Sequence, residues 1–306
     1  MSYSYNTKGV WIVDYNTFNN PARGALQPSP NFPDKYILAE GDSWFHIGGL
    51  TGVGNARNLI DEITINGKQS QLLNMALTGD TVRRISESFE SSNFKEMLKT
   101  KNWDLLLLSA GGNDLIDALT EDLKYVVEDK TLSIIQSSKN ANSFKSYINE
   151  EDLNLLIDFV LSKYKALFTF ILTTINREVP IIIHTYDYPT PRDAPAEVFV
   201  LKKGPWLYSA FEKKNVPVKH RVEICNYIFK RLADALLTLT TPNVPDVANV
   251  YVVNTYDTLL RADTIPGNSY DWLNEIHPNA KGFKKLAKKI NAEIANVISG
   301  DVSERS

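Results

Sequence analysis

The chain has 306 residues, with 33 basic and 36 acidic side chains and a formal net charge of −3. That balance argues against a nucleic-acid-binding protein, which carries a basic surplus. The single cysteine, Cys225, excludes an internal disulfide framework and a Cys-rich zinc site and fits a reducing compartment. With 43% hydrophobic residues, a chain of this length buries a substantial core without staples, as one large α/β domain or two small ones.

The N-terminus has no basic region followed by an apolar run, and no stretch approaches the roughly 18 apolar residues of a membrane span. The expectation is a soluble, cytoplasmic protein without an integral membrane segment. Residues 1–34, rich in Asn, Pro and Ser, read as a loosely structured N-terminal arm. The first firm element is the apolar strand Lys35–Glu40, which ends in Gly41-Asp42-Ser43. A Gly-rich stretch and a short helix near Asn55–Ile63 follow. Leu72–Leu77 reads as a second strand ending at Thr78-Gly79-Asp80, and Val82–Leu98 has helical spacing.

Trp103–Ser109 is a continuous apolar run, the pattern of a strand buried on both faces of a parallel sheet, and it ends at Gly111-Gly112-Asn113-Asp114. Residues 115–150 read as an insertion with short helices, and Asp152–Arg177 as a buried helix. Val179–His184 is the next buried strand. Residues 185–215, rich in Pro and aromatics, read as a long surface loop of the kind that often carries function. Val218–Leu237 is helical, and Val250–Asn254 is the last strand. The terminal helix Pro278–Ile298 carries one apolar stripe, Phe283, Leu286, Ile290, Ile294 and Val297, opposite a solvated lysine face. Strands alternate with helices throughout, which predicts a parallel sheet with helices on both faces.

Ser43, Gly79 and Asn113 fall at the C-terminal ends of successive strands, and His277 lies in the loop after the last. Ligands bind beyond these ends in open parallel sheets. The four residue types suit acyl transfer. A serine hydroxyl becomes a nucleophile when a histidine takes its proton, and glycine N–H, serine N–H and asparagine amide groups can hold an oxyanion. A lone GDS or GGND is usually just a turn; four such blocks in this order are specific.

GDSW at 41–44, the glycine in LTGD, GGND at 111–114 and the histidine in NEIHPN resemble the four blocks of the SGNH hydrolase (GDSL-type esterase/lipase) superfamily, over residues 35 to about 298. The resemblance implies a three-layer α/β/α flavodoxin-like sandwich with a five-stranded parallel sheet, a single domain over 35–300, and insertions near 115–150 and 185–215. It implies serine ester hydrolysis through an acyl-enzyme, without metal or organic cofactor, on a small-molecule, lipid or carbohydrate ester. Short-chain acyl, lysolipid and O-acetyl sugar substrates all remain open.

By motif, Ser43 is the nucleophile and His277 the base, with the Ser43 and Gly79 N–H groups and the Asn113 amide as the oxyanion hole. Asp42 reads as a loop-organising residue. The family's usual DxxH aspartate is replaced by Asn274. An amide can orient an imidazole but cannot stabilise imidazolium by charge, and the equivalent change in the serine protease triad costs about 10⁴ in rate. Either Asp271 folds back as the acid, or Asn274 or a backbone carbonyl orients His277, with Glu275 a further candidate. The alternative reading is a weak or inactive binding protein on a degenerate hydrolase fold. Trp44, His46, His184 and Trp206 either line the pocket or serve packing and loop structure.

Overall fold

The computed structural model describes residues 3–5, 9–15, 33–46, 57–66, 69–87, 93–120, 125–138, 142–174, 178–198, 201–241 and 249–299. The unbroken apolar runs become the centre of a parallel sheet. Strands β3 (Lys35–Gly41), β4 (Ser70–Asn74), β5 (Leu105–Ser109), β8 (Ile181–His184) and β11 (Val250–Val253) all run parallel to their neighbours. Ile37, Leu38, Leu72, Leu73, Leu105, Leu106 and Ile181 are completely buried. Each such side chain contributes roughly 1.5–3 kcal/mol over its exposed state.

The sheet is larger than the five strands expected. Residues read as a loose arm supply β2 (Val10–Asp14), which pairs in parallel with β4, and β1 (Tyr3–Tyr5), which pairs antiparallel with β2 at the edge. The order is β1-β2-β4-β3-β5-β8-β11, so six of the seven strands are parallel. The local signal was the run Val10-Trp11-Ile12-Val13. All four are buried against the sheet, although the polar flanks masked the strand.

The chain moves from β3 outward to β4, then returns across β3 to β5, so the order reverses between β3 and β5. A crevice opens at the carboxyl ends of strands where this happens. The loops carrying Ser43 and Asn113 leave from these two strands.

The expected helix 82–98 is two helices among the described residues, α1 (Val82–Glu87) and α2 (Asn93–Thr100). α3 (Gly112–Thr120) starts directly on the GGND block, α4 (Glu150–Thr174) is the long buried helix, and α6 (Val218–Leu237) follows its expected span. α1, α2, α3 and α6 gather on α4, while α7 (Ala280–Ser299) packs on β11 and on the Ile60–Glu62 turn. The result is an α/β/α sandwich. In α7 Phe283, Leu286, Ile290 and Ile294 are buried, and Ile298 rather than Val297 completes the stripe.

The two segments read as insertions carry structure of their own. Within 115–150 a small hairpin forms, β6 (Val126–Val127) with β7 (Lys130–Thr131). Residues 185–215 are not a surface loop. Tyr186, Asp187, Thr190 and Arg192 are buried, the hairpin β9 (Ala196–Val198) and β10 (Leu201–Lys203) follows, and α5 (Leu207–Lys213) closes the segment. Tyr186, Pro189, Pro191 and Phe211 are buried, and Tyr188, Pro205, Trp206 and Tyr208 are half-buried. Among the described residues, no helix is long and apolar enough to cross a membrane.

Candidate active site

The nucleophile turn is set by Gly41 and Asp42. A Cβ on Gly41 would stand 2.5 Å from the Ser109 carbonyl oxygen, so only glycine lets β3 lie this close to β5 at its end. Asp42 N–H donates to that same carbonyl at 2.9 Å. The Asp42 carboxylate then accepts the Trp44 N–H at 2.9 Å, an Asx-type turn that bends the chain around Ser43. Ser43 is 4% exposed and therefore shielded from bulk water.

His277 Nε2 lies 2.8 Å from Ser43 Oγ. Its Nδ1 lies 3.0 Å from Asn274 Oδ1. That amide oxygen also accepts the backbone N–H groups of Ile276 at 3.1 Å and His277 at 2.9 Å. Two fixed donors define it as the oxygen, so His277 Nδ1 carries the ring hydrogen and Nε2 presents its lone pair to the serine hydroxyl. The amide thus selects the tautomer that a base needs. Burial alone pushes the His277 pKa down to about 4; no carboxylate stands at Nδ1 to hold it up.

No hydrogen bond joins the Asp271 carboxylate to His277, whose Nδ1 faces Asn274 instead. The buried Asp271 carboxylate accepts Leu260 N–H at 2.7 Å and pairs with Lys285 and, at 3.6 Å, Lys281 of α7. Burial favours its neutral form, but these partners outweigh it and hold its pKa below the ordinary value. Asp271 anchors the histidine loop to the terminal helix.

Glu275 likewise faces away from the imidazole. It accepts the N–H groups of Arg192 (3.2 Å), Trp206 (2.6 Å), Leu207 (2.9 Å) and Tyr208 (2.7 Å). The carboxylate sits at the start of α5, where the helix dipole favours negative charge. Burial nonetheless pushes its pKa up to about 7. By holding this turn it sets the Trp206 ring edge-on to His277, with centroids 6.0 Å apart.

The sequence reading did not single out Arg192, which is 1% exposed inside the histidine loop. It donates to the carbonyls of Asn274 at 2.8 Å, Ile265 at 2.9 Å and Gly267. The guanidinium spreads five donors over a rigid planar fork, which here ties three loop carbonyls together. An arginine inside a Pro-rich, aromatic stretch was its only local sign.

On the other side of Ser43, Asn113 lines the same cleft, and its Nδ2 donates to the Asp80 carbonyl at 2.9 Å. That bond uses one amide hydrogen and leaves the second. Asp114 accepts Val82 N–H at 2.8 Å and Arg83 N–H at 3.4 Å, and Tyr125 donates to it, which ties the GGND block to the start of α1 just beyond Gly79. Gly79 has φ +86°, a left-handed conformation that favours glycine, and its carbonyl accepts Arg84 Nη1 at 2.9 Å.

The cleft is small and partly open to solvent, and its walls include Trp44, Ile116, Pro189, Phe229 and Ile276. Trp44 lines it, and its Nε1 donates to the Ile276 carbonyl at 3.3 Å, joining the serine and histidine loops. His46 is half-buried, with its pKa lowered by burial, and its carbonyl accepts Thr78 Oγ1 at 3.1 Å. His184 stacks on Trp44 from behind, with centroids 5.6 Å apart, and bonds to Ser109 rather than to Ser43.

No family model matches the chain, and no curated protein matches it. Solved structures do match in fold. A lipase from a goat rumen metagenome superposes with a TM-score of 0.52 at 14% identity, covering 84% of this chain and 96% of that one. An acetylxylan esterase from Geobacillus stearothermophilus gives 0.42 at 14% identity, covering 85% and 94%. A GDSL-like lipase from Bacteroides thetaiotaomicron gives 0.40 at 12%, covering 86% and 88%. The chain shares the fold of the goat rumen lipase.

Proposed function

We propose that the protein is a serine ester hydrolase with a Ser43–His277–Asn274 relay. The observation that carries this is the line of contacts from Asn274 Oδ1 through His277 to Ser43 Oγ, at 3.0 and 2.8 Å. His277 Nε2 takes the serine proton as Oγ attacks the ester carbonyl. The same proton then goes to the leaving alcohol, and His277 activates water to release the acyl group. The developing oxyanion is held by the free Asn113 amide hydrogen with the Ser43 and Gly79 N–H groups.

The cleft size and its apolar wall favour a small acyl group over a long lipid chain. The wall formed by Tyr186, Asp187 and Pro189 leaves a sugar or a simple alcohol open. The ordered amide at Asn274 favours catalysis over an inactive binding fold, because an idle site gains nothing from a fixed tautomer.

The test is a panel of p-nitrophenyl esters of increasing chain length, together with a fluorophosphonate probe. Acetyl and propionyl esters should be turned over fastest, and Ser43→Ala should abolish both turnover and labelling while the protein stays folded. Undiminished turnover in Ser43→Ala would rule the reading out.

A further inference from the structure

A cluster behind the nucleophile has more hydrogen-bond contacts than hydrogens to fill them. Ser109 Oγ, at the end of β5, lies 2.9 Å from Asp42 Oδ1, 3.0 Å from His184 Nε2 and 3.1 Å from Tyr186 Oη. Tyr186 Oη gives its hydrogen to Asp42 Oδ2. All four side chains are buried, Ser109 completely.

His184 Nδ1 lies 2.9 Å from the Thr185 carbonyl oxygen. A carbonyl only accepts, so Nδ1 must carry a hydrogen, and the neutral ring has a bare Nε2. Ser109 has one hydrogen and stands between that bare nitrogen and Asp42 Oδ1. If Asp42 were a carboxylate and His184 neutral, one of the two contacts would set lone pair against lone pair without water to relieve it. One added proton fills both, and only the longest contact, Ser109 to Tyr186 at 3.1 Å, is left without a hydrogen.

We infer that this cluster keeps one extra proton on Asp42, which donates to Ser109 while Ser109 donates to His184 Nε2, and that this neutral relay positions the Asp42–Ser43 turn. The groups around it agree. Burial pushes Asp42 up to about 7, and the negative charge of Asp114 on α3 acts in the same direction, against hydrogen bonds from Tyr186, Trp44 and Ser109. Burial pushes His184 down to about 4, so the proton does not settle on the ring. The remaining faces are closed by neutral groups. Trp44 and Phe45 pack on the His184 ring, and the Tyr164 hydroxyl of α4 is spent on both Ala110 backbone groups, at 2.7 and 3.0 Å. Asp42, Ser109 and His184 are positioning residues. Their link to the reaction rests on Ser43 as nucleophile; the proton count does not.

The chain has four histidines, so the ¹⁵N spectrum of histidine-labelled protein can be assigned residue by residue. At pH 6 His184 should be a neutral ring, protonated at Nδ1 only, with Nε2 accepting a hydrogen bond. The neutral-carboxyl infrared band should contain a component that is lost in Asp42→Asn, beside the one from Glu275. A doubly protonated His184, an Nε2–H tautomer, or no Asp42-dependent band would each overturn the inference.

The kinetic readout is the alkaline limb of Ser43 labelling by fluorophosphonate. In His184→Phe the Ser109 hydrogen is released to Asp42, so the acid gives up its proton more easily. The limb should move down by about a unit or more, a shift that lost packing alone does not produce. An unmoved limb would remove His184 from the relay. Should His184→Phe not fold, the spectra of the unaltered protein still decide. Should Ser43 never label, the hydrolase reading fails while the histidine spectrum tests the proton independently.

Discussion

Replacing Asn274 by aspartate puts a carboxylate oxygen 3.0 Å from His277 Nδ1 while keeping an acceptor for the Ile276 and His277 N–H groups. An opposite charge at that range raises an imidazole pKa by about 1–3 units. At roughly 1.36 kcal/mol per unit this is about 1.4–4 kcal/mol of imidazolium stabilisation, in line with the ~4 kcal/mol Coulomb limit at an effective dielectric near 20. His277 starts from about 4, so the variant's base should titrate at roughly 5–7. The base must be neutral to accept the serine proton, so activity is lost as pH falls through its pKa. The acid limb of kcat/KM therefore moves to higher pH in Asn274→Asp. If about half of the added stabilisation is expressed in the transition state, the neutral-pH plateau rises roughly 3- to 30-fold. A pH–rate profile of p-nitrophenyl acetate hydrolysis for both proteins measures limb and plateau together. An acid limb that stays put would refute the contact between residue 274 and the imidazole, and a lower plateau would refute the argument that charge is what the asparagine lacks.

Three further outcomes follow from the same geometry. Asp271→Ala should lower stability by about 1–3 kcal/mol by stranding Leu260 N–H and Lys285, with kcat unchanged; a large fall in kcat at unaltered KM would return Asp271 to the mechanism. Glu275 has a folded pKa near 7 against an unfolded value near 4.3, so the folded state binds the extra proton and its contribution is full at low pH. Urea titrations should show a stability component that declines as pH rises from about 4 to 7 and is missing in Glu275→Gln. Gly41→Ala should cost about 1–3 kcal/mol, because the new Cβ meets the Ser109 carbonyl at 2.5 Å, and it should slow fluorophosphonate labelling of Ser43; an unchanged melting temperature would mean that β3 and β5 can separate freely.

The alternation of buried runs and helical stripes was legible from the chain itself, because it depends on the apolar period along a few consecutive residues. Leu105–Ser109, Val218–Leu237 and the Phe283–Ile294 stripe sit where that period puts them. So were Ser43 and His277, as chemistry-bearing residues in loops past the sheet's carboxyl edge. Among the parallel strands the exception, Val10–Asp14, has a partner in β4 about 60 residues later, and its polar flanks resemble a tail until that partner is present.

What only the tertiary structure decided is which groups touch. Spacing left Asp271 and Asn274 both open as partners for His277. The loop's path, clamped by Arg192 and by the lysines of α7, turned Asp271 toward Lys285 and the Asn274 amide toward the ring. Ser109 and Tyr186 are unremarkable in the sequence and His184 stood only as a candidate for the pocket, yet they gather behind Asp42 because the ends of β3, β5 and β8 lie side by side. Local periodicity places residues on elements. The protonation of a buried acid, and the tautomer of a buried base, depend on neighbours brought close only when those elements are assembled.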